Sequence, residues 1–528
     1  MNILVLYGSH LTNVGNVRAS LESIKMYSKN DVKFCNAVYG AFPNFSLLQF
    51  DCVIVHYSCF LYDEQIPSSF FLRNLEKYDG LKVVILQDEF DRTETMRRRV
   101  ENLAPHLILT CARDEALPLV FPPERFGNVR IESQLTGYVI PLPEKIQKFI
   151  IPLHDRPIAL GYRGRSIDAY LGELGFDKIE IGRRMRTICS KRGIPCDISW
   201  LEKDRLYGDS WFQFLGSCRA ILGSESGSTV MDEFFQLRPV FNKLKMENPR
   251  INFQEYKPYM SGRCRPVNLG QISPRIFEAA AMKTPMILLE GSYSNIISPD
   301  VHYIPLRKDY KNIDSVLDIL EDDNRLSQVA ERAHNDLIQS DKYGYPYRIR
   351  EIDNLIDELY ASLPRRLRVE KKETFAAPYL IMGEVPTEEV WGAEHAKALE
   401  RSFSTLVKPM RHVRHLSGNE PVMIYGCGKG GRLVASALAA GGRQIGGFID
   451  SQRRGELNGL PILLPEDLAT NYPRDIPIVI GSQYVYEIAH ALLAVGFHHL
   501  FDARLLIKRM MREEMFNAPL PDLIISDP

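Results

Sequence analysis

SPRIFEAAAMKTPMILLEGSYSNIISPDVHYIPLRKD, residues 273–309, reads as helix, turn, buried strand and loop. Ser273 is placed to cap a helix over 273–282, and Pro274 suits its first turn. Ala279, Ala280 and Ala281 give that helix a small face for close packing, and Glu278 sits in its interior one turn on from Arg275. Lys283-Thr284-Pro285 ends the helix before the apolar strand 285–289, a strand-like run follows at 301–304, and 312–362 is charged and helical in period.

Upstream, the same alternation begins at 157–161 and continues through a helix near 180–192, a strand at 195–199, a helix near 210–217 and a strand at 219–222. A comparable series occupies the N-terminal part, with strands at 2–7, 51–56, 81–86, 106–110 and 137–140, a helix over 91–103, and a proline-bearing close at 140–157. Short β-rich runs between helices indicate mostly parallel sheets covered on both faces. Two such halves in tandem define a cleft, with ligands expected at the carboxyl ends of the strands. Leu160-Gly161-Tyr162-Arg163-Gly164-Arg165 follows one of those strands, where glycines give the backbone room and two guanidiniums can grip a diphosphate. LGSESGSTVMD, residues 222–232, reads as a small polar loop, with Glu225 and Ser226 as candidate contacts. It is not a hydrolase elbow, because glutamate stands where G-x-S-x-G needs its serine.

The run Phe277-Glu278-Ala279, Lys283-Thr284-Pro285 and Met286–Leu289 resembles the donor half of GT-B glycosyltransferases of the group-1/group-4 type and the spore-maturation-like type. The resemblance implies two tandem Rossmann-like domains in GT-B arrangement and transfer of a sugar from a nucleotide-sugar donor. It also implies that Glu278 accepts from the donor ribose and that Arg163 and Arg165, with Arg275, meet the diphosphate in place of a metal. In the family Glu278 is preceded by a second glutamate eight positions earlier. Gly270 stands there, so neither the family's sugar contact nor a stereochemical outcome carries over. On the acceptor side, His56 and Asp88 are the candidate catalytic groups, at the ends of strands in the N-terminal half.

A third α/β unit begins at 421–425 and runs to about 510. Gly426-Cys427-Gly428-Lys429-Gly430-Gly431 stands between a strand and a helix, and Asp450 follows the last glycine by 19 positions. That is the dinucleotide-type fingerprint, with Gly426, Gly428, Lys429 and Gly431 at the phosphate turn and Asp450 at a ribose. With Asn458–Ile462 and Pro465–Leu468, the unit resembles the N-terminal Rossmann-like domain of bacterial sugar O-acyltransferases, which implies a second nucleotide or nucleotide-sugar. An empty domain kept for assembly is the alternative, and it leaves room for a homo-oligomer.

The expected division is therefore 1–150 (acceptor side), 151–363 (donor side), 364–418 (connector) and 419–528 (C-terminal Rossmann-like unit), ending in a proline-rich tail at 518–528. A net charge of −1 over 528 residues gives no electrostatic case for nucleic acid or an anionic membrane. Nine scattered cysteines without a C-x-x-C pair suggest a reducing, cytoplasmic setting and no zinc site. No run approaches the ~18 apolar residues of a transmembrane helix. No cofactor or metal is expected beyond a nucleotide-sugar of unspecified base, and the acceptor is a glycan, a protein or a small molecule. A nucleotide-sugar epimerase, a non-catalytic nucleotide-sugar-binding scaffold and an NAD(P)-dependent oxidoreductase using the C-terminal unit stay open.

Overall fold

The computed structural model describes residues 1–8, 11–12, 14–38, 46–63, 66–165, 169–248, 251–364, 381–382, 407–450, 453–482, 485–507 and 509–510. Most of the expected connector and the whole proline-rich tail lie outside the described residues. The chain divides into two compact units: the first holds two large sheets and a two-stranded one, and the second holds one more large sheet.

The first lobe is built on β1 (Asn2–Tyr7), β2 (Asp31–Asn36), β3 (Cys52–Val55), β4 (Leu81–Ile85), β5 (Leu107–Thr110) and β6 (Arg130–Ser133). They form a parallel sheet in the order β2-β1-β3-β4-β5-β6. Its helices include α1 (Gly15–Tyr27) and α2 (Thr93–Leu103). The central strands are buried along their whole length, as apolar runs in a two-sided parallel sheet must be.

The second lobe carries β7 (Ile158–Arg163), β8 (Cys196–Ser199) and β9 (Cys218–Gly223). An antiparallel hairpin of β10 (Ser226–Met231) and β11 (Arg265–Gln271) follows, then β12 (Met286–Leu289) and β13 (Ile304–Leu306). Its sheet is parallel in the order β13-β12-β9-β7-β8. Counted from each lobe's first strand, this repeats the first lobe's order. The helices that matter below are α3 (Glu173–Arg192), α4 (Asp209–Ser217), α5 (Leu237–Glu247), α6 (Pro274–Ala281) and the long α7 (Tyr345–Ser362).

Helix α7 runs back against α1 of the first lobe. Its buried Asp353 accepts from the Lys29 N–H at 2.8 Å, the Ser28 hydroxyl at 2.9 Å and Asn30 Nδ2 at 3.0 Å. Hydrogen bonds to a charged group contribute about 1.5–3 kcal/mol each, so this helix ties the lobes together firmly. The α/β, two-lobe arrangement expected from the sequence is the one observed.

Local expectations differ in four places. Residues 137–140 form no strand: Val139 makes one bridge, to Gly344. Strands β2 and β6 were not foreseen; β6, at the sheet edge, is half-buried along its length and polar except for Ile131. The stretch 222–232 is mostly strand, because β10 pairs with β11 and its small residues accommodate the hairpin. Ser273 holds the N-cap position of α6 but makes no side-chain cap bond.

The second unit's strands are β15 (Val407–Pro409), β16 (Val422–Tyr425), β17 (Ile445–Ile449), β18 (Gly455–Leu457), β19 (Leu460–Leu463), β20 (Ile478–Ile480) and β21 (Leu500–Asp502), numbered after the short β14 (Ile381–Met382) that pairs with β2. Their order is β15-β21-β20-β16-β17-β19-β18, parallel apart from β18. Strand order reverses at β16, and α8 (Lys429–Ala440) follows that strand.

Candidate functional site

Two hollows open at the carboxyl ends of the first unit's sheets, where strand order reverses and open α/β sheets take ligands. The smaller, about 200 Å³, lies over β7 and β9 and is lined by Arg163, Arg165, Lys178, Trp211, Ser226 and Arg275 among others. The larger, about 600 Å³, lies in the cleft. Tyr57, Phe60, Tyr62, Asp88 and Asp91 line it from the first lobe, and Tyr170, Arg238 and Gln271 from the second. Arg165, Lys178 and Ser226 line both, so the hollows meet at two cations and a hydroxyl.

The arginines divide by what already holds them. Arg163 is occupied: its guanidinium donates to Asp197 Oδ2 at 2.6 Å and to two backbone carbonyls at 3.0 Å, and it lies 4.3 Å over the Phe214 ring. These bonds brace β7 against β8 and hold both terminal nitrogens, while the Nε has no hydrogen-bond partner among the described residues and the side chain still lines the smaller hollow. Arg165 is exposed where the hollows meet. Arg275 is exposed at the first turn of α6, donates to the Arg163 carbonyl, and stacks 5.3 Å from the Trp211 ring.

Lys178 is the residue that motif reading missed. Its ammonium donates to Ser226 Oγ at 3.3 Å. Burial, with Arg275 and Arg165 nearby, pushes it down to about 8, against the opposing pull of Asp88. A signal was present: Leu174, Ile181 and Met185 are buried along α3, and position 178 falls on that stripe. A lysine on an apolar stripe is either snorkelling or facing a cavity, and this one faces a cavity.

Glu278 borders the smaller hollow through a neighbour. Its Oε2 accepts from the Trp211 indole N–H at 2.7 Å, and burial raises its carboxyl while that bond and Arg275 lower it. It therefore orients the indole that lines the hollow, and it is not among the lining residues itself. Glu225 is drawn away from a ligand role as well. Its Oε1 accepts from the Tyr293 N–H at 2.7 Å and the Ser292 hydroxyl at 2.9 Å, tying β9 to the loop after β12. The carboxylate fills the space beside Gly270, where a Cβ would approach it to 2.9 Å. Ser226, next in the chain, faces both hollows.

Across the cleft, Asp88 has left-handed backbone geometry, with φ of 63°. Aspartate adopts this geometry more readily than most non-glycine residues, and here it turns the chain just after β4. Burial, then Glu89 and Asp91, push its carboxyl up to about 6, while Lys178 and Arg165 pull it down. His56 does not join it. The ring is fully buried, its Nδ1 accepts from the Ser58 N–H at 3.2 Å, and its Nε2 lies 3.2 Å from Ser20 Oγ. Burial pushes it down to about 3, so it is a neutral core group, which corrects its assignment as catalytic.

The lobes touch around this cleft through backbone and side chain. The Asp232 N–H donates to the Phe90 carbonyl at 2.8 Å, Arg238 donates to Asp91 Oδ2 at 2.8 Å, and Thr136 Oγ1 donates to the Ile272 carbonyl at 2.5 Å. Asp88, Arg165 and Lys178 are thus held by a scaffold bridged on both sides.

In the second unit, Gly426 has φ of 109°, and a Cβ on Gly431 would sit 1.8 Å from the Gly426 carbonyl oxygen. Only glycine allows that turn between β16 and α8. Gly428 is the N-cap of α8, facing open space, and Asp450 follows β17 beside the Cys427 thiol, which burial and that carboxylate raise. The Lys429 side chain lies outside the described residues.

Among the described residues no helix is long and apolar enough to cross a membrane. No family profile and no curated protein matches the chain. Solved structures are similar in part. Anabaena HepE in complex with UDP shares 13% identity over 69% of this chain and 100% of its own, with a TM-score of 0.38. Sucrose-phosphate synthase from Thermosynechococcus elongatus shares 10% over the same fractions, also at 0.38. TarM shares 12% at 0.32, and the match spans 58% of this chain and 54% of that one.

Proposed function

We infer that the protein transfers a glycosyl group from a nucleoside-diphosphate sugar to an acceptor hydroxyl in the cleft. One observation carries the reading: two ligand-sized hollows meet at Arg165, Lys178 and Ser226, with Asp88 lining the larger of them. The nucleoside would occupy the smaller hollow against Trp211. Its diphosphate would lie at Arg165, Lys178 and Arg275, and the acceptor would fill the larger hollow beside Asp88.

The acceptor oxygen attacks the anomeric carbon, the bond from that carbon to the phosphate oxygen breaks, and the nucleoside diphosphate leaves with both bonding electrons. Asp88, ionised above about pH 6, takes the acceptor's proton. Protonated below about pH 8, Lys178 stabilises the charge growing on the departing phosphate, with Arg165 beside it. Cations fixed in a partly desolvated site need no reorganisation as that charge develops. They fill the role a divalent metal has in other transferases, so turnover is expected to persist in EDTA.

The test is nucleotide release from UDP-, GDP-, CMP- and dTDP-sugars, with and without mixed hydroxyl acceptors. Acceptor-dependent release supports transfer. Conversion of donor alone would instead indicate an epimerase, and binding without release under every acceptor a scaffold. For the second unit we take the glycine turn and Asp450 as a further nucleotide-type site, separately testable with Asp450→Ala.

A further inference from the structure

The acceptor hollow has a chemistry of its own. Among the described residues five aromatic side chains line it, Tyr57, Phe60, Tyr62, Phe90 and Tyr170, against four other apolar ones, Val14, Val17, Leu171 and Pro274. Phe60 and Tyr62 stack with ring centroids 5.1 Å apart and planes 29° from parallel, and Phe60 is held in left-handed geometry at φ 51°. Between the aromatics stand planar polar groups. A terminal nitrogen of Arg238 donates to Asp91 Oδ2 at 2.8 Å and to the Tyr170 hydroxyl at 3.0 Å, and the guanidinium lies 4.5 Å over the Tyr170 ring.

Gln271 supplies an independent observation. It is 3% exposed, it lines the hollow at the end of β11, and its Nε2 has no hydrogen-bond partner among the described residues. The Nε of Arg238 is likewise unpartnered. Buried donors are nearly always satisfied, so an unmet amide at the wall of a hollow calls for an acceptor atom from a ligand or from water that a ligand displaces. Flat rings that meet C–H faces, interleaved with carboxylate, guanidinium and amide groups that meet hydroxyls, are the chemistry that recognises a pyranose ring.

Charge narrows the class. Asp91 neutralises Arg238 by direct pairing, and Arg165 and Lys178 belong to the diphosphate junction. Among the described lining residues Asp88 is then the one charge left to the acceptor, and a carboxylate disfavours an anionic ligand. Resting on the transferase reading, we propose that the acceptor is a neutral saccharide whose terminal ring packs on Phe60 and Tyr62, with one of its oxygens accepting from Gln271 Nε2.

Saturation-transfer NMR on the full chain tests this with methyl glycosides of glucose, galactose, mannose and N-acetylglucosamine, beside methyl glucuronide and a Ser/Thr-rich peptide. Binding of at least one neutral glycoside is expected, weakened about tenfold or more in Phe60→Leu and in Gln271→Glu, which keep bulk while removing the ring or the donor. Tyr62→Phe keeps the ring and should retain binding, which covers the case of a poorly folding Leu variant. Binding of glucuronide or peptide alone, or equal neutral binding in all variants, overturns the proposal. Thermal shift by nucleotide-sugars on the same samples separates the two readings. Glycoside binding without any nucleotide-sugar shift would sink the transferase and leave the saccharide subsite standing; the reverse would sink the subsite alone.

Discussion

The two lobes of the first unit share a strand order, yet their carboxyl ends present opposite chemistry. The second lobe offers cations: Arg165, Lys178 and Arg275 around β7 and α6. The first offers carboxylates and aromatic rings: Asp88, Asp91, Phe60 and Tyr62 after β3 and β4. Topology decides where a ligand can sit, and the loops decide which ligand. Placing one cationic and one acidic face across a bridged cleft also explains the ionisation of the two central groups. Asp88 and Lys178 are each pushed toward neutrality by burial and pulled back toward charge by the other.

The largest break in that pairing comes from Asp88→Asn, expected to lower kcat by about 10²–10⁴-fold if the carboxylate takes the acceptor's proton. The same change should stabilise the fold. Because the folded carboxyl titrates at about 6, above an unfolded value of about 3.9, its contribution is fully present below about pH 4 and is lost as pH rises through 6. The asparagine variant escapes that loss, so its Tm should exceed wild type above pH 6 and converge with it near pH 4. A lower Tm at pH 8 would contradict the assignment of burial as the cause of the shift.

Lys178→Met comes next, with kcat reduced about 10²–10³-fold through lost stabilisation of the leaving group. In the wild type, kcat/KM should rise through about pH 6 and fall through about pH 8, and the alkaline limb should vanish in the Met variant. Trp211→Phe removes the donor to Glu278 and leaves a half-buried carboxyl without that bond. Nucleotide-sugar affinity should weaken about tenfold, with a stability loss of about 1–3 kcal/mol by denaturant titration. Smallest in its effect on turnover is His56→Asn. Its ring serves the packing of the first lobe, so activity per folded molecule should stay near wild type while Tm falls.

The sheets were legible because a strand buried on both faces must be written in apolar residues, as in β1, β3 and β4. The half-buried edge strand RIES obeys no such rule, and in DVKFCN the buried Val32, Phe34 and Cys35 are interleaved with Asp31 and Lys33, so neither run reads as continuously apolar. A hairpin of serine and glycine passed for a loop. In the site, position near a strand end brought attention to Arg163 and Glu225, and the family resemblance to the helical Glu278, but each bonds within the protein. Which of several polar residues near a strand end is spoken for depends on partners remote in sequence, such as Asp197, Tyr293 and Trp211. Lys178 lay mid-helix, where the apolar stripe marks it as inward-facing but does not say which cavity it meets.

Isothermal titration of nucleoside-diphosphate sugars tests the central claim most directly, comparing wild type, Lys178→Met and Asp450→Ala. One sugar nucleotide should bind the wild type and Asp450→Ala with equal affinity in the first unit, and about tenfold or more weakly in Lys178→Met. Unchanged binding in Lys178→Met together with complete loss in Asp450→Ala would move the nucleotide to the second unit and contradict the account.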